Sequence, residues 1–205
     1  SCELLRSKRE SLERELRARF ADAERTQLRA NRNLSAYDAY YRSFRKTYHV
    51  LLQLESVAKK GKEIPEVSPV VETMFMAELR SFLLTAVHDA DLIVFPVTVD
   101  LGDGSETYVT LTGNKQVVKR DDMLVRDRDG ITSTIIHGPD ARTAVTKKTR
   151  RSLFVVYLPD GDTAASVQNH FDDMLDSLRR INPDMDVEQR ITVPSGTIDN
   201  RRDSQ

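Results

Sequence analysis

Ile131–Leu158 reads ITSTIIHGPDARTAVTKKTRRSLFVVYL, and its reading decides the fold class. ITSTIIH and SLFVVYL are mostly β-branched, aromatic or apolar, the composition of buried or half-buried strands. The loop between them, HGPDARTAVTKKTRR, carries one carboxylate (Asp140), one imidazole (His137) and the cations Arg142, Lys147, Lys148, Arg150 and Arg151. A loop pinned at both ends by strands, and this rich in donors and acceptors, is where a site is built. The plainer reading is an exposed connection kept soluble by charge.

Working back from this stretch, LIVFPVTVDL and TYVTLT read as strands joined through Gly102-Asp103-Gly104, a hairpin signal. Pro96 places the first of them at an edge or a bulge. LTGNKQVVK, a short DMLVRD strand and the turn Arg128-Asp129-Gly130 follow. Forward of the stretch, Pro159-Asp160-Gly161 turns the chain into a helix with Val167, Phe171, Met174, Leu175, Leu178 and Ile181 on one face, stopped by Asn182-Pro183. VEQRITV (187–193) reads as a final strand and 195–205 as a polar, disordered tail.

The chain before residue 90 reads as helical. Residues 3 to 32 form one helix with i,i+4 pairs at Glu10–Arg14, Glu13–Arg17 and Glu15–Arg19. Its stripe of Leu12, Leu16 and Phe20 is narrow, so this helix lies across the domain or pairs with a partner helix. Ser35 is the expected N-cap of a second helix, whose Tyr37, Tyr41, Phe44 and Tyr48 are either core with a basic rim or a surface for stacking bases. Leu51–Lys60 continues as helix to Gly61, KGKEIPEVSP is an extended linker, and Val70–Val87 reads as a long buried helix. Helices, then a run of strands, then a helix describe an α+β fold with a mixed or antiparallel sheet. The expected divisions are a charged arm (1–34), the α+β domain (35–194) and the tail.

Composition narrows the function. Cys2 is the single cysteine, which rules out a disulfide framework, and no apolar run approaches the ~18–20 residues of a membrane span. The N-terminus is too charged for a signal peptide, so the expected setting is the cytoplasm. Residues 1–60 hold 14 Lys+Arg against 8 Asp+Glu and the rest 17 against 24, a basic end on an acidic body. Such asymmetry points to a polyanion or an acidic partner. The four histidines lack paired metal-ligand spacing, RDRDG lacks the first and twelfth ligands of a calcium loop, and no phosphate loop, dinucleotide fingerprint or Gly-x-Ser-x-Gly elbow occurs. No cofactor is expected. Catalysis, if present, rests on positioned water, backbone donors and ordinary polar side chains.

From about Tyr40 to Val193 the chain resembles free-standing proteins built from the tRNA-editing module of the phenylalanyl-tRNA synthetase beta subunit. The resemblance is carried, in order, by Tyr41-Arg42-x-Phe44, GKEIPEVSPVVE, LLTAVHDADLI, LTGN, MLVRDRDG, ITSTIIHGPDARTAVTKKT and RRSLFVVY. It implies that module's fold and the hydrolysis of an amino acid from misacylated tRNA. It also implies roles for two residues: His88, in His-x-x-Asp with Asp91, as the pocket histidine, and Asp140, after Gly138-Pro139, as the acid that accepts the hydroxyl of a misattached tyrosine. Here the acid is one methylene shorter than the family's glutamate, and the loop beyond it is one residue longer, with Arg142 beside it. Gly113 and Gly138 would let backbone approach the substrate. His137, Pro139, Thr143 and Thr146 would line the aminoacyl site, and Lys147, Lys148, Arg150 and Arg151 would meet tRNA phosphates.

Three readings follow. The chain is a trans-acting aminoacyl-tRNA deacylase with His88 and Asp140 as its catalytic pair. Alternatively it holds tRNA or the aminoacyl end without hydrolysis, or it docks a partner or a second copy through residues 3–32. A buried acid that must be paired favours a hydroxyl-bearing group over a bare ring far better than an apolar slot could.

Overall fold

The computed structural model describes residues 3–158 and 164–193. Two compact units share the chain, one with residues up to Asp91 and Val145–Asp184, the other with Leu92–Ala144 and the described residues from Met185 onward. All strand pairings are antiparallel, so the fold is α+β as expected.

The first unit is mainly helical: α1 (Glu3–Phe20), α2 (Arg25–Leu28), α3 (Arg32–Ser43), α4 (His49–Ala58), α5 (Pro69–Ser81) and α6 (Ala164–Ile181). The single helix expected over 3–32 is therefore broken. Glu24 and Gln27 form a capping box that starts α2, and the Asn31 side chain accepts the N–H groups of Asn33 and Leu34 to start α3. Ser35, the expected cap, lies inside α3, where its N–H already donates to Asn31 O at 2.9 Å.

Rather than standing off as an arm, α1 lies across this unit. Leu5, Leu12 and Leu16 are buried, Glu13 accepts the Ile64 N–H at 2.7 Å, and Arg9 pairs with the buried Glu72 at 2.7 Å. Arg17 donates to the carbonyls of Val57, Gly61 and Lys62. Arg9–Glu72 and Lys8–Asp173 match part of the basic surplus of this end with acids from beyond residue 60, whereas Arg25–Glu55 and Arg29–Asp38 pair within it.

The tyrosine stripe is core. Tyr37 and Tyr48 stack at 4.6 Å, Tyr48 donates to Phe82 O, and Tyr37 accepts the Leu84 N–H while donating to Tyr157 O. Tyr37, Tyr41 and Tyr48 are buried, which removes this stripe as a base-stacking surface.

Val70–Val87 is not one helix. Phe82 takes a left-handed conformation (φ 62°) and ends α5, and Thr85–Asp89 becomes strand β1. The β-branched and apolar LLTAVH supports either state by periodicity, and pairing with β8 (Ser152–Val156) decides it. Val87 and Phe154 pack against Met74, Ala77 and Met174 of α5 and α6.

The second unit holds a four-stranded sheet in the order β2 (Thr98–Leu101), β5 (Met123–Asp127), β6 (Gly130–Thr134), β7 (Gly138–Pro139), and a hairpin of β3 (Thr107–Val109) with β4 (Lys115–Val117). Tyr108, Val118, Leu124 and Ile131 form its core. The expected β2–β3 hairpin is absent, because β2 pairs with β5 and β3 with β4. Gly102 serves close approach instead: a Cβ there would lie 2.5 Å from both Lys119 O and Val118. VEQRITV forms no strand, and Ile191 and Val193 are exposed. The expected turn at 159–161 and the tail at 195–205 lie outside the described residues.

The opening stretch is thus divided. ITSTI enters the sheet of the second unit, and SLFVV pairs with β1 in the first.

Candidate functional site

In the second unit the site is built on the segment that follows β6. His137 donates its N–H to Thr134 Oγ1 at 3.0 Å, and Gly138 takes φ +76°, a conformation open to glycine, to enter β7. Pro139 pairs with Ser133, Asp140 N donates to Thr132 O at 2.7 Å, and Ala141 N donates to Val109 O at 2.8 Å. Asp140 forms a bridge with Thr110, whose carbonyl accepts the N–H of Gly113 at 2.8 Å in the β3–β4 turn. Tyr108 donates its hydroxyl to Gly138 O at 2.8 Å, and burial pushes that phenol up to about 12, so it remains a donor. Gly113, His137, Gly138, Pro139 and Asp140 are in this way brought together, and Arg142 and Thr143 follow in the same loop.

The Asp140 carboxylate is 4% exposed and engaged by its own loop. Its Oδ1 accepts the Thr143 N–H at 3.1 Å and the Thr143 hydroxyl, and its Oδ2 lies 3.5 Å from Arg142 Nε. Burial raises its pKa, opposed by the Thr143 donors and the Arg142 charge. Arg142 reaches further, donating to Asp127 Oδ1 at 2.8 Å and to Leu92 O at 3.1 Å.

Asp127 is the residue that sequence reasoning passed over. It accepts the N–H groups of Val94, Asp129 and Gly130 as well as Arg142. Burial works to raise its pKa, yet these donors hold it below the ordinary carboxylate value. The available signal was the Asp-x-x-Gly turn Asp127–Gly130, whose first side chain commonly folds back on the turn's own N–H groups.

In the first unit His88 lies in β1 rather than at a helix end, and it is fully buried. The register His88↔Leu153 places it on the sheet face shared with Ala86 and Val155, opposite Val87 and Phe154. Its neighbour Asp89, also unremarked in the sequence, accepts the Thr149 hydroxyl at 2.6 Å and the Asp91 N–H at 3.1 Å. Asp91 is exposed and pairs with Arg151 at 2.9 Å.

The basic segment is a closed turn. Thr146 N donates to Thr149 Oγ1 at 2.9 Å, and Lys148 N to Thr146 Oγ1 at 3.1 Å. Lys147, Lys148 and Arg150 are exposed, with Arg150 Nη1 3.3–3.4 Å from the carbonyls of Lys147, Lys148 and Thr149. His88, Asp91, Thr146 and this turn belong to the first unit, whereas Asp140 and its neighbours belong to the second.

A family model described as the B3/4 domain matches residues 35–191. The chain belongs to the B3/4 domain family. Among solved structures, this B3/4 protein is similar to an N-terminal fragment of the phenylalanyl-tRNA synthetase beta subunit from Pyrococcus horikoshii. The two share 15% identity at a TM-score of 0.45, with 56% of this chain and 41% of the fragment covered. The chain therefore spans about two fifths of that fragment's length. No curated protein matches the sequence. Among the described residues, no helix of this B3/4 protein is long and apolar enough to cross a membrane.

Proposed function

We propose that this B3/4 protein binds tRNA and hydrolyses misacylated aminoacyl-tRNA in trans, in the cytoplasm. The carrying observation is the family match itself: residues 35–191 include every residue proposed for the site, from His88 to Arg151. An aminoacyl ester is already activated, so a held water and N–H donors for the developing oxyanion suffice for its hydrolysis. In this reading His88 and Asp140 are the catalytic candidates, one in each unit. In the second unit Gly113 and Gly138 admit the aminoacyl group to the backbone, with His137, Pro139, Arg142 and Thr143 around it; Asp91 and Thr146 are the substrate-binding candidates of the first. Lys147, Lys148, Arg150 and Arg151 take the phosphates, of which Lys147 and Lys148 are exposed and Arg151 would exchange Asp91 for phosphate.

The test is a screen of misacylated tRNAs for released amino acid. Asp140→Asn, which keeps an acceptor for Thr143 but removes the charge facing Arg142, is expected to depress release strongly. Absence of release across the screen would overturn the reading.

One observation favours binding without hydrolysis as the second reading. Both Asp140 oxygens are engaged by Thr143 and Arg142, which leaves a substrate hydroxyl to compete with them. Salt-dependent tRNA affinity with the ester left intact would select it. Docking of a second copy or a partner on residues 3–32 would have to use the outward side of α1, where Leu4 is exposed.

A further inference from the structure

Of seven Phe and six Tyr, Phe95 alone is exposed, at 61% of its surface. Isolated exposed apolar side chains are ordinary. A large ring left in water on a fixed backbone is less so, and the backbone just before Phe95 is tied at three points. Leu92 O accepts Arg142 Nη1 at 3.1 Å, Val94 N donates to Asp127 Oδ2 at 2.9 Å, and Val94 O accepts the Arg128 N–H at 3.0 Å. Pro96 follows and restricts the Phe95 backbone further. The Asp127–Arg142 pair that anchors this segment is the same one that reaches Asp140.

Such a ring has little freedom to lose when a flat partner covers it, which makes it a ready stacking surface. A cation accompanies it. Arg128 is exposed, is bonded through its backbone to the residue before Phe95, and takes part in no ion pair among the described residues. An exposed ring and a cation carried on neighbouring backbone are the groups that hold single-stranded nucleic acid, the ring taking a base and the cation a phosphate. Leu92 and Val94, on the same segment, are exposed as well.

We propose that Phe95, with Arg128, is a stacking platform for an unpaired nucleotide at the end of an RNA strand. This rests on the tRNA-binding reading above and adds to it a contact that sequence reasoning did not assign. The chain contains no tryptophan, so Phe95→Trp introduces its single indole at the platform. Two RNAs serve as probes: a deacylated tRNA, and the same tRNA with its 3′ single-stranded end removed.

Phe95→Ala is expected to weaken binding of intact tRNA about 5- to 100-fold and to leave the shortened tRNA unaffected. Phe95→Trp should retain affinity, and its emission should be quenched by intact tRNA only. Equal affinity of wild type and Phe95→Ala for intact tRNA would overturn the proposal. Equal sensitivity of the shortened tRNA to the substitution would do the same. Self-association of the wild type that is lost in Phe95→Ala, with tRNA affinity unchanged, would assign the ring to a protein contact instead. If wild type binds neither RNA at low salt, the tRNA reading falls and the platform with it; if wild type binds both and Phe95→Ala changes nothing, only the platform falls.

Discussion

Glu78 in the first unit and Asp127 in the second are both buried carboxylates that accept backbone N–H groups at the end of a strand. Their acidities move in opposite directions. Burial, only partly offset by the Thr85 N–H at 2.8 Å, pushes Glu78 from 4.5 to about 8. Asp127 is held below its ordinary value because three N–H groups and the Arg142 guanidinium outweigh the burial that would raise it. Depth and donors act together: Glu78 lies deeper and has one backbone donor, whereas Asp127 lies nearer the surface of its unit and is held by three N–H groups and a guanidinium. In one unit burial favours the protonated form of Glu78, which holds the first N–H of β1, the strand of His88. The other carries a fixed negative charge that organises the Asp140 loop and the segment bearing Phe95.

The comparison can be broken first at a third buried carboxylate. Glu72 faces Arg9 at 2.7 Å and is fully buried, so Arg9→Ala leaves a charge with no partner cation in its place. Denaturant melts should show a loss of about 3–5 kcal/mol. A cost under about 1 kcal/mol would mean that the Arg9–Glu72 pair contributes little to stability.

Arg142→Met removes the cation that separates Asp127 from the Glu78 pattern. About 1–3 kcal/mol should be lost, and hydrogen exchange should quicken at Val94, Asp129 and Gly130, whose N–H groups Asp127 holds. Unchanged exchange at those three amides would show that the N–H groups suffice without the arginine.

The pH dependence has opposite signs in the two units. Glu78 binds its proton in the folded state between 4.5 and about 8, so its contribution is complete below that window and is lost as pH rises through it. Asp127, lowered from 3.8, contributes above that value and loses its contribution as pH falls through its folded pKa. Glu78→Gln should therefore flatten the fall in melting temperature across the upper window while leaving the acid limb in place. An unaltered slope would show that Glu78 is ionised in the fold.

The smallest expected effect is at Thr143, whose N–H and hydroxyl both serve Asp140. Thr143→Val keeps the shape and the N–H bond and should cost about 1–2 kcal/mol, whereas Thr143→Ser should be nearly neutral. Equal losses in the two variants would point to packing of the methyl group instead.

Much of this is legible in the sequence, but unevenly. Strand composition identified β6 and β8, though not that they lie in different sheets, since pairing is non-local and nothing in SLFVV specifies β1 as its neighbour. Thr85–Asp89 reads as part of the preceding helix because a short apolar run fits either period. The left-handed turn at Phe82, taken by a residue with no sequence signature for it, is what separates them. Residues 21–31 had their break concealed among strong helix formers, and the caps at Glu24 and Asn31 were the available signals.

At the site, Gly138-Pro139-Asp140 was found from its loop. Asp127 and Asp89 were not, because each acts through bonds to residues distant in the sequence, Arg142 and Thr149. Phe95 was hidden in an apolar run that reads as buried strand. Its exposure follows from where the sheet stops, with β2 beginning only at Thr98.

The most direct test is single-turnover deacylation of misacylated tRNAs by the full-length protein and by His88→Ala. Release of amino acid from at least one mischarged tRNA is predicted, slowed about 100-fold or more by the substitution. Uniform stability of the ester in the presence of the protein, or release that His88→Ala leaves unchanged, would contradict the account.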